Sequence, residues 1–127
     1  MQYLLDTHIA LWFFCQAEKL SKTALHSILE PANEKYVSMA SAWELAIKIR
    51  TGKLVFEGGI EHFFHTIDEN GFELLPIKKE HVKQLATLPL LHRDPFDRIL
   101  VASAIAEGME LITTDTNIRL YDVHCLW

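Results

Sequence analysis

Residues 91–115 read LHRDPFDRILVASAIAEGMELITTD, and their interpretation decides the fold. Asp94 stands where a helix N-cap is wanted, Pro95 suits the first helical position, and Asp97 falls in the first turn, where a negative charge meets the positive end of the helix dipole. The apolar helix that follows runs to Gly108, a residue type that commonly ends helices. MELITTD, residues 109–115, then reads as a short strand closed by an acid. A helix feeding a strand of this kind is half of a parallel α/β unit.

The same grammar extends in both directions. QYLLD, residues 2–6, is a short apolar run ending in an acid, as a buried strand would. THIALWFFCQAEKL is a helix and turn, and Ser21 caps a helix over KTALHSILEPA that Pro31 ends. KYVSMA is a second strand. Ser41 and Glu44 have capping-box spacing at the start of SAWELAIKIRTGKL, with Gly52 as its stop. GGIEHFFHTIDENG is a helix, FELLPI a strand, and KKEHVKQLATL a helix halted by Pro89. YDVHCLW supplies an edge strand. Short strands alternating with helices predict a three-layer α/β/α sandwich around a mostly parallel sheet of four to five strands. Residues 1–127 form one domain on this reading, without repeats or linkers.

Composition narrows the function classes. Half of the 127 residues are hydrophobic, enough for a core, and the net charge of −5 argues against a general nucleic-acid binder. It leaves room for an enzyme that grips nucleic acid through a metal ion and a few local cations. No basic segment precedes the first apolar residues, and no apolar run approaches the roughly 20 residues that span a bilayer. A cytoplasmic protein without membrane association is expected. Cys15 and Cys125 lack any paired spacing and are expected to be buried, reduced thiols.

Right-handed crossovers put the strand C-termini on one rim of the sheet, where ligands of such folds bind. Asp6 and Asp115 follow strands and share that rim. Asp97 begins the helix that leads to the Asp115 strand, and Glu44 lies near the start of a helix that follows another strand. Each acid alone has an ordinary explanation as a cap or a surface charge. Together they repel one another, and a divalent cation is the usual remedy. An all-oxygen ligand set selects Mg²⁺ or Mn²⁺ over zinc. Lys48, Arg50 and Lys53 form a basic run, and Arg93 and Arg98 flank Asp94 and Asp97. Solvated surface charge is the plain reading of these cations, and phosphate contact by Lys48, Arg50, Arg93 and Arg98 is the functional one. His62 and His65 are helix-surface residues, whereas His8 and His92 adjoin site acids. Trp12, Phe13 and Phe14 are mostly core.

The stretches YLLDTHIALWF, VSMASAWELAIKIRTGKL, LPLLHRDPFDRILVASAIAEGMELITTD and the closing YDV occur in an order that resembles the PIN-domain ribonucleases. Within them the chain is most similar to the VapC-like toxins of bacterial toxin–antitoxin pairs, and the similarity runs essentially end to end. The resemblance maps the family's acidic site onto Asp6, Glu44, Asp97 and Asp115. It implies a metal-dependent endoribonuclease that uses Mg²⁺ or Mn²⁺, with Asp6, Asp97 and Asp115 at the metal and Glu44 orienting or deprotonating the attacking water. It separates Asp97, a site acid, from Asp94, mainly a cap. It also implies an RNA substrate, a cognate antitoxin that blocks the cleft, and a homodimer. Ordinary turn and strand roles are the plain reading of Thr7 and Thr113, and hydrogen bonds to the neighbouring carboxylates are the functional one.

Two other readings compete. A PIN-like module that binds RNA or protein without catalysis would keep the fold. A phosphotransfer domain would also hold acids at strand ends. LLDTH, however, lacks the second Asp of the D-x-D pattern and the adjacent Asp pair of receiver domains.

Overall fold

The computed structural model describes residues 1–127. Its elements, in chain order, are β1 (Gln2–Leu5), α1 (Thr7–Cys15), α2 (Lys22–Leu29), β2 (Glu34–Ser38), α3 (Met39–Arg50), α4 (Gly59–Glu69), β3 (Glu73–Leu75), α5 (Lys79–Thr87), α6 (Pro95–Glu107), β4 (Glu110–Ile112) and β5 (Cys125–Leu126). Short 3₁₀ turns at Ala17–Lys19 and Ile118–Leu120 join them. All five strands are parallel, in the order β3-β2-β1-β4-β5.

The two-residue period of the strands divides the core. Tyr3 and Leu5 of β1 and Ile112 of β4 point to one face, where Ile9, Ile28, Leu45, Phe63, Ile67 and Phe72 cover them. Leu4 of β1 and Leu111 of β4 point to the other, beneath Leu100, Val101 and Ala104 of α6. Helices therefore bury both faces, which is why Tyr3–Leu5 and Leu111–Ile112 are unbroken apolar runs rather than alternating ones. The expected sandwich is present, with β5 as its short edge.

The chain winds outward from β1 to β2 and β3, then returns through α5 and α6 to place β4 on the opposite side of β1. Beyond the C-termini of β1 and β4 this reversal opens a crevice, the position at which open α/β sheets bind ligands. The ends of β1 and β4 deliver Asp6 and Asp115 to that crevice.

Local signals mostly hold. Ser21 Oγ accepts the Ala24 N–H at 3.0 Å, and Asp94 Oδ1 accepts from Phe96 N at 2.9 Å and Asp97 N at 3.3 Å. Gly108 takes the left-handed conformation, φ 68°, that ends α6. One boundary moves. Ser38, not Ser41, caps α3, its Oγ accepting from Ala40 N at 3.0 Å, so β2 passes into α3 without a loop. Ser41 is buried inside the helix and receives the Thr7 hydroxyl at 2.8 Å. The capping box with Glu44 does not exist, and Glu44 stands in the second turn. The cysteines are also not both buried: Cys15 ends α1 in solvent and Cys125 lies half-buried on the edge strand, each as a free thiol. His62 and His65 are exposed as expected. Trp12, Phe13 and Phe14 are half-buried, the two phenylalanines meeting Phe72 edge-on at 5.5 Å. No helix is long and apolar enough to cross a membrane.

Candidate active site

A cavity of about 340 Å³ opens at the crevice, lined by Asp6, Glu44, Asp94, Asp97 and Asp115 together with Thr7, His8, Lys48 and Lys53. The acids arrive from four places: Asp6 follows β1 and caps α1, Glu44 projects from α3, Asp94 and Asp97 come from the cap and first turn of α6, and Asp115 follows β4.

Asp6 is almost fully buried and its carboxylate is tightly held. Oδ1 accepts the Thr7 N–H at 2.7 Å, and Oδ2 accepts the Thr113 hydroxyl at 2.7 Å. The Thr113 oxygen accepts in turn from the Asp115 N–H at 2.9 Å, so one buried hydroxyl ties the two strand-end acids together. Asp115 Oδ1 accepts from Asn117 N at 2.8 Å and Ile118 N at 3.2 Å, which fixes its rotamer. Thr113 thus takes the functional of its two readings rather than the plain one. Thr7 serves Asp6 through its backbone, while its hydroxyl goes to Ser41.

His8 Nδ1 lies 3.2 Å from Asp6 Oδ2, and Nε2 lies 2.9 Å from the Thr114 hydroxyl. Burial pulls the imidazole pKa down, but the Asp6 hydrogen bond and the negative field of Asp6, Asp115 and Asp97 outweigh it, and the net shift is upward. Glu44 is buried, and its Oε2 pairs with Lys48 Nζ at 2.9 Å. The Glu44 hydrogen bond outweighs desolvation and holds the Lys48 pKa above its ordinary value. Asp97 carries the largest perturbation. Burial first, then the charges of Asp94 and Asp6, push its carboxyl up to about 6 despite a hydrogen bond with His92 that pulls the other way.

The residues present fit a hard divalent cation. The donors are carboxylate oxygens, and the burial of Asp97 beside the charges of Asp94 and Asp6 is what a cation would offset. The acids do not close around one point: no three His, Cys, Asp or Glu side chains converge tightly enough to hold a metal ion by themselves. An open acidic cleft of this kind suits Mg²⁺, which keeps several waters and takes one or two carboxylates.

The structure treats the expected RNA-contact cations unequally. Lys48 lines the cavity, and so does Lys53, a member of the basic run left outside the candidate set. Arg50 is exposed away from it. Arg93 borders a separate shallow cleft with Leu85, Leu90 and Pro95. Arg98 is committed elsewhere, its Nη1 donating to Pro89 O at 2.8 Å and to the Tyr121 hydroxyl at 2.9 Å, and its Nη2 to Leu88 O at 3.3 Å. Tyr121, the first residue of the closing YDV stretch but given no role of its own from sequence, is the partner of both Arg98 and His92.

Comparison with known proteins agrees with this fold. The family model for the PIN domain matches residues 3–123. Ribonuclease VapC22 of Mycobacterium tuberculosis (strain ATCC 25618 / H37Rv) is 29% identical over 117 residues, covering 91% of this chain and 88% of that protein. A chain of the VapBC2 complex of Rickettsia felis, bound to a promoter DNA fragment, superposes with a TM-score of 0.75 at 17% identity, covering 100% of this chain and 99% of its own. A chain of DNA-bound VapBC from Salmonella typhimurium gives a TM-score of 0.70 at 11% identity, covering 99% and 97%.

Proposed function

The chain belongs to the PIN domain family, and on that footing we propose that it is a metal-dependent endoribonuclease acting as the toxin of a toxin–antitoxin pair. The observation that supports this most is the gathering of Asp6, Glu44, Asp97 and Asp115 in one cavity at the sheet's reversal point. The ribonuclease name of the similar mycobacterial protein and the toxin–antitoxin complexes among the structural neighbours point the same way.

Asp6, Asp97 and Asp115 would hold Mg²⁺ or Mn²⁺, directly or through its waters. The bound ion supplies Lewis acidity toward the scissile phosphate and lowers the pKa of a coordinated water. Thr113 keeps the Asp6 carboxylate in place for this, and the N–H groups of Asn117 and Ile118 keep that of Asp115. Glu44 Oε2 is held by Lys48, which leaves Oε1 to orient the attacking water and take its proton. Attack in line breaks the P–O3′ bond and leaves a 5′-phosphate and a 3′-hydroxyl. Lys48 and Lys53 meet substrate phosphates at the cavity, and Arg50 and Arg93 meet flanking nucleotides outside it. Arg98 drops out of this set because its guanidinium is already spent on the protein. The partners on this reading are RNA, a cognate antitoxin and a second copy of the chain.

Expression of the chain without an antitoxin should arrest growth, and Asp6→Asn at equal protein level should restore growth to that of an empty-vector control. Arrest that persists undiminished in Asp6→Asn would remove the nuclease explanation.

A further inference from the structure

His92 sits in the loop between α5 and α6 with its side chain only 11% exposed, and it is absent from the cavity lining. Its ring lies between two partners. Nε2 is 3.3 Å from Asp97 Oδ2, and Nδ1 is 2.9 Å from the Tyr121 hydroxyl. Which nitrogen carries the proton decides what the ring does for Asp97, and the partners of Tyr121 settle the matter.

The Tyr121 oxygen is approached by Arg98 Nη1 at 2.9 Å and by the His92 backbone nitrogen at 3.2 Å. Both of those groups can only donate. They occupy the acceptor capacity of the hydroxyl, so its own hydrogen must go to an acceptor, and His92 Nδ1 is the one in reach. Nδ1 therefore presents a lone pair, and the ring proton of the neutral imidazole sits on Nε2, facing Asp97. The opposite tautomer would aim three donors at one oxygen, strand the phenolic hydrogen and turn a lone pair toward a carboxylate. Arg98 is anchored by the carbonyls of Leu88 and Pro89, and Tyr121 is buried in the core beneath α6, so the chain of bonds starts from fixed points.

We infer that His92 is a positioning residue, locked in its Nε2–H tautomer by Tyr121 and Arg98, that donates to Asp97 Oδ2 and holds this carboxylate facing the cavity. A histidine that donates its ring N–H to a metal-binding carboxylate is the mirror of the familiar carboxylate–histidine pair behind a metal, and loss of such a partner typically weakens metal binding by about 10–100-fold. The metal half of this inference rests on the function proposed above, and the tautomer half does not.

Long-range ¹H–¹⁵N correlation spectra of the metal-free, ¹⁵N-histidine-labelled chain read the tautomer directly, with His92→Gln identifying the His92 signals. The wild type should show the Nε2–H pattern, and Tyr121→Phe, which removes only the hydroxyl, should shift it toward a mixture. Mn²⁺ titration should show binding weakened about tenfold or more in His92→Ala. Binding should be largely recovered in His92→Gln, whose amide keeps an N–H donor. An Nδ1–H pattern in the wild type, or equal Mn²⁺ affinity in wild type and His92→Ala, would overturn the inference. A wild type that binds no Mn²⁺ but shows the Nε2–H pattern, lost in Tyr121→Phe, would sink the metal site and support the orientation of His92.

Discussion

Asp97→Asn should slow RNA cleavage by about a thousandfold, the loss expected when several kcal/mol of metal-derived transition-state stabilisation disappears at 1.36 kcal/mol per decade. Asp94→Asn should cost less than about tenfold, because asparagine caps a helix as well as aspartate does. Both acids line the same cavity and lie within one turn of each other, so the contrast tests their roles rather than their location. Asp94 spends Oδ1 on the N–H groups of Phe96 and Asp97, which is local helix chemistry. Asp97 makes no capping bond and is the acid whose ionisation the cavity opposes. Initial rates on one RNA at matched Mn²⁺ would decide it. A larger loss in Asp94→Asn than in Asp97→Asn would exchange the two assignments.

Removing the same carboxylate should stabilise the metal-free protein. The Asp97 pKa is raised from 3.8 to about 6 in the folded chain. Between those values the folded form binds more protons than the unfolded form, so metal-free stability falls as pH rises through that window and the whole penalty persists above it. Two decades at 1.36 kcal/mol each bound the penalty at about 3 kcal/mol. At about 3–6 °C per kcal/mol for a chain of this length, Asp97→Asn should melt several degrees above wild type at neutral pH. At pH near 4 the difference should shrink to a small fraction of its neutral-pH value. Mn²⁺ at a hundred times its dissociation constant should stabilise the wild type by about 2.7 kcal/mol and Asp97→Asn by markedly less. Asp94→Asn relieves part of the repulsion on Asp97 and should keep most of the Mn²⁺ increment. Melting curves of the three proteins at both pH values, with and without Mn²⁺, check every part of this. An Asp97→Asn protein that melts below wild type without metal at neutral pH would contradict it.

How much of this was legible beforehand follows from what each residue depends on. Asp6 and Asp115 could be placed on a common rim because that needs only strand identity and the handedness of crossovers. Asp94 could be recognised as a cap because the cap, the proline and the helix are consecutive in sequence. Ser41 was misplaced as a cap because Ser38 and Ser41 both suit the role, and the choice turned on how far β2 extends before α3 begins. A strand end of that kind is set by pairing with β1 and β3, which no local pattern reports. The cations were harder still. Arg98 adjoins Asp97 in sequence, yet its guanidinium folds back onto the carbonyls of residues 88 and 89, a loop whose path depends on α5 packing against α6. Lys53 reaches the cavity because the turn after α3 brings it back beside Lys48, with Gly52 at φ 75°. Tyr121 opens the closing YDV stretch, but its role as a hydrogen-bond partner exists only through contacts made across the fold. Long charged side chains and buried hydroxyls take their meaning from tertiary neighbours, whereas strand-end acids take theirs from topology.

The most direct test of a metal-dependent acidic site is the cleavage rate of one RNA by the purified chain in Mn²⁺, then in excess EDTA, then with Mn²⁺ restored. Cleavage should stop with the chelator and return in full when the ion is replaced. Cleavage that continues at its original rate in excess EDTA would mean that the chemistry does not use a bound cation, and the roles given to Asp6, Asp97 and Asp115 would be wrong.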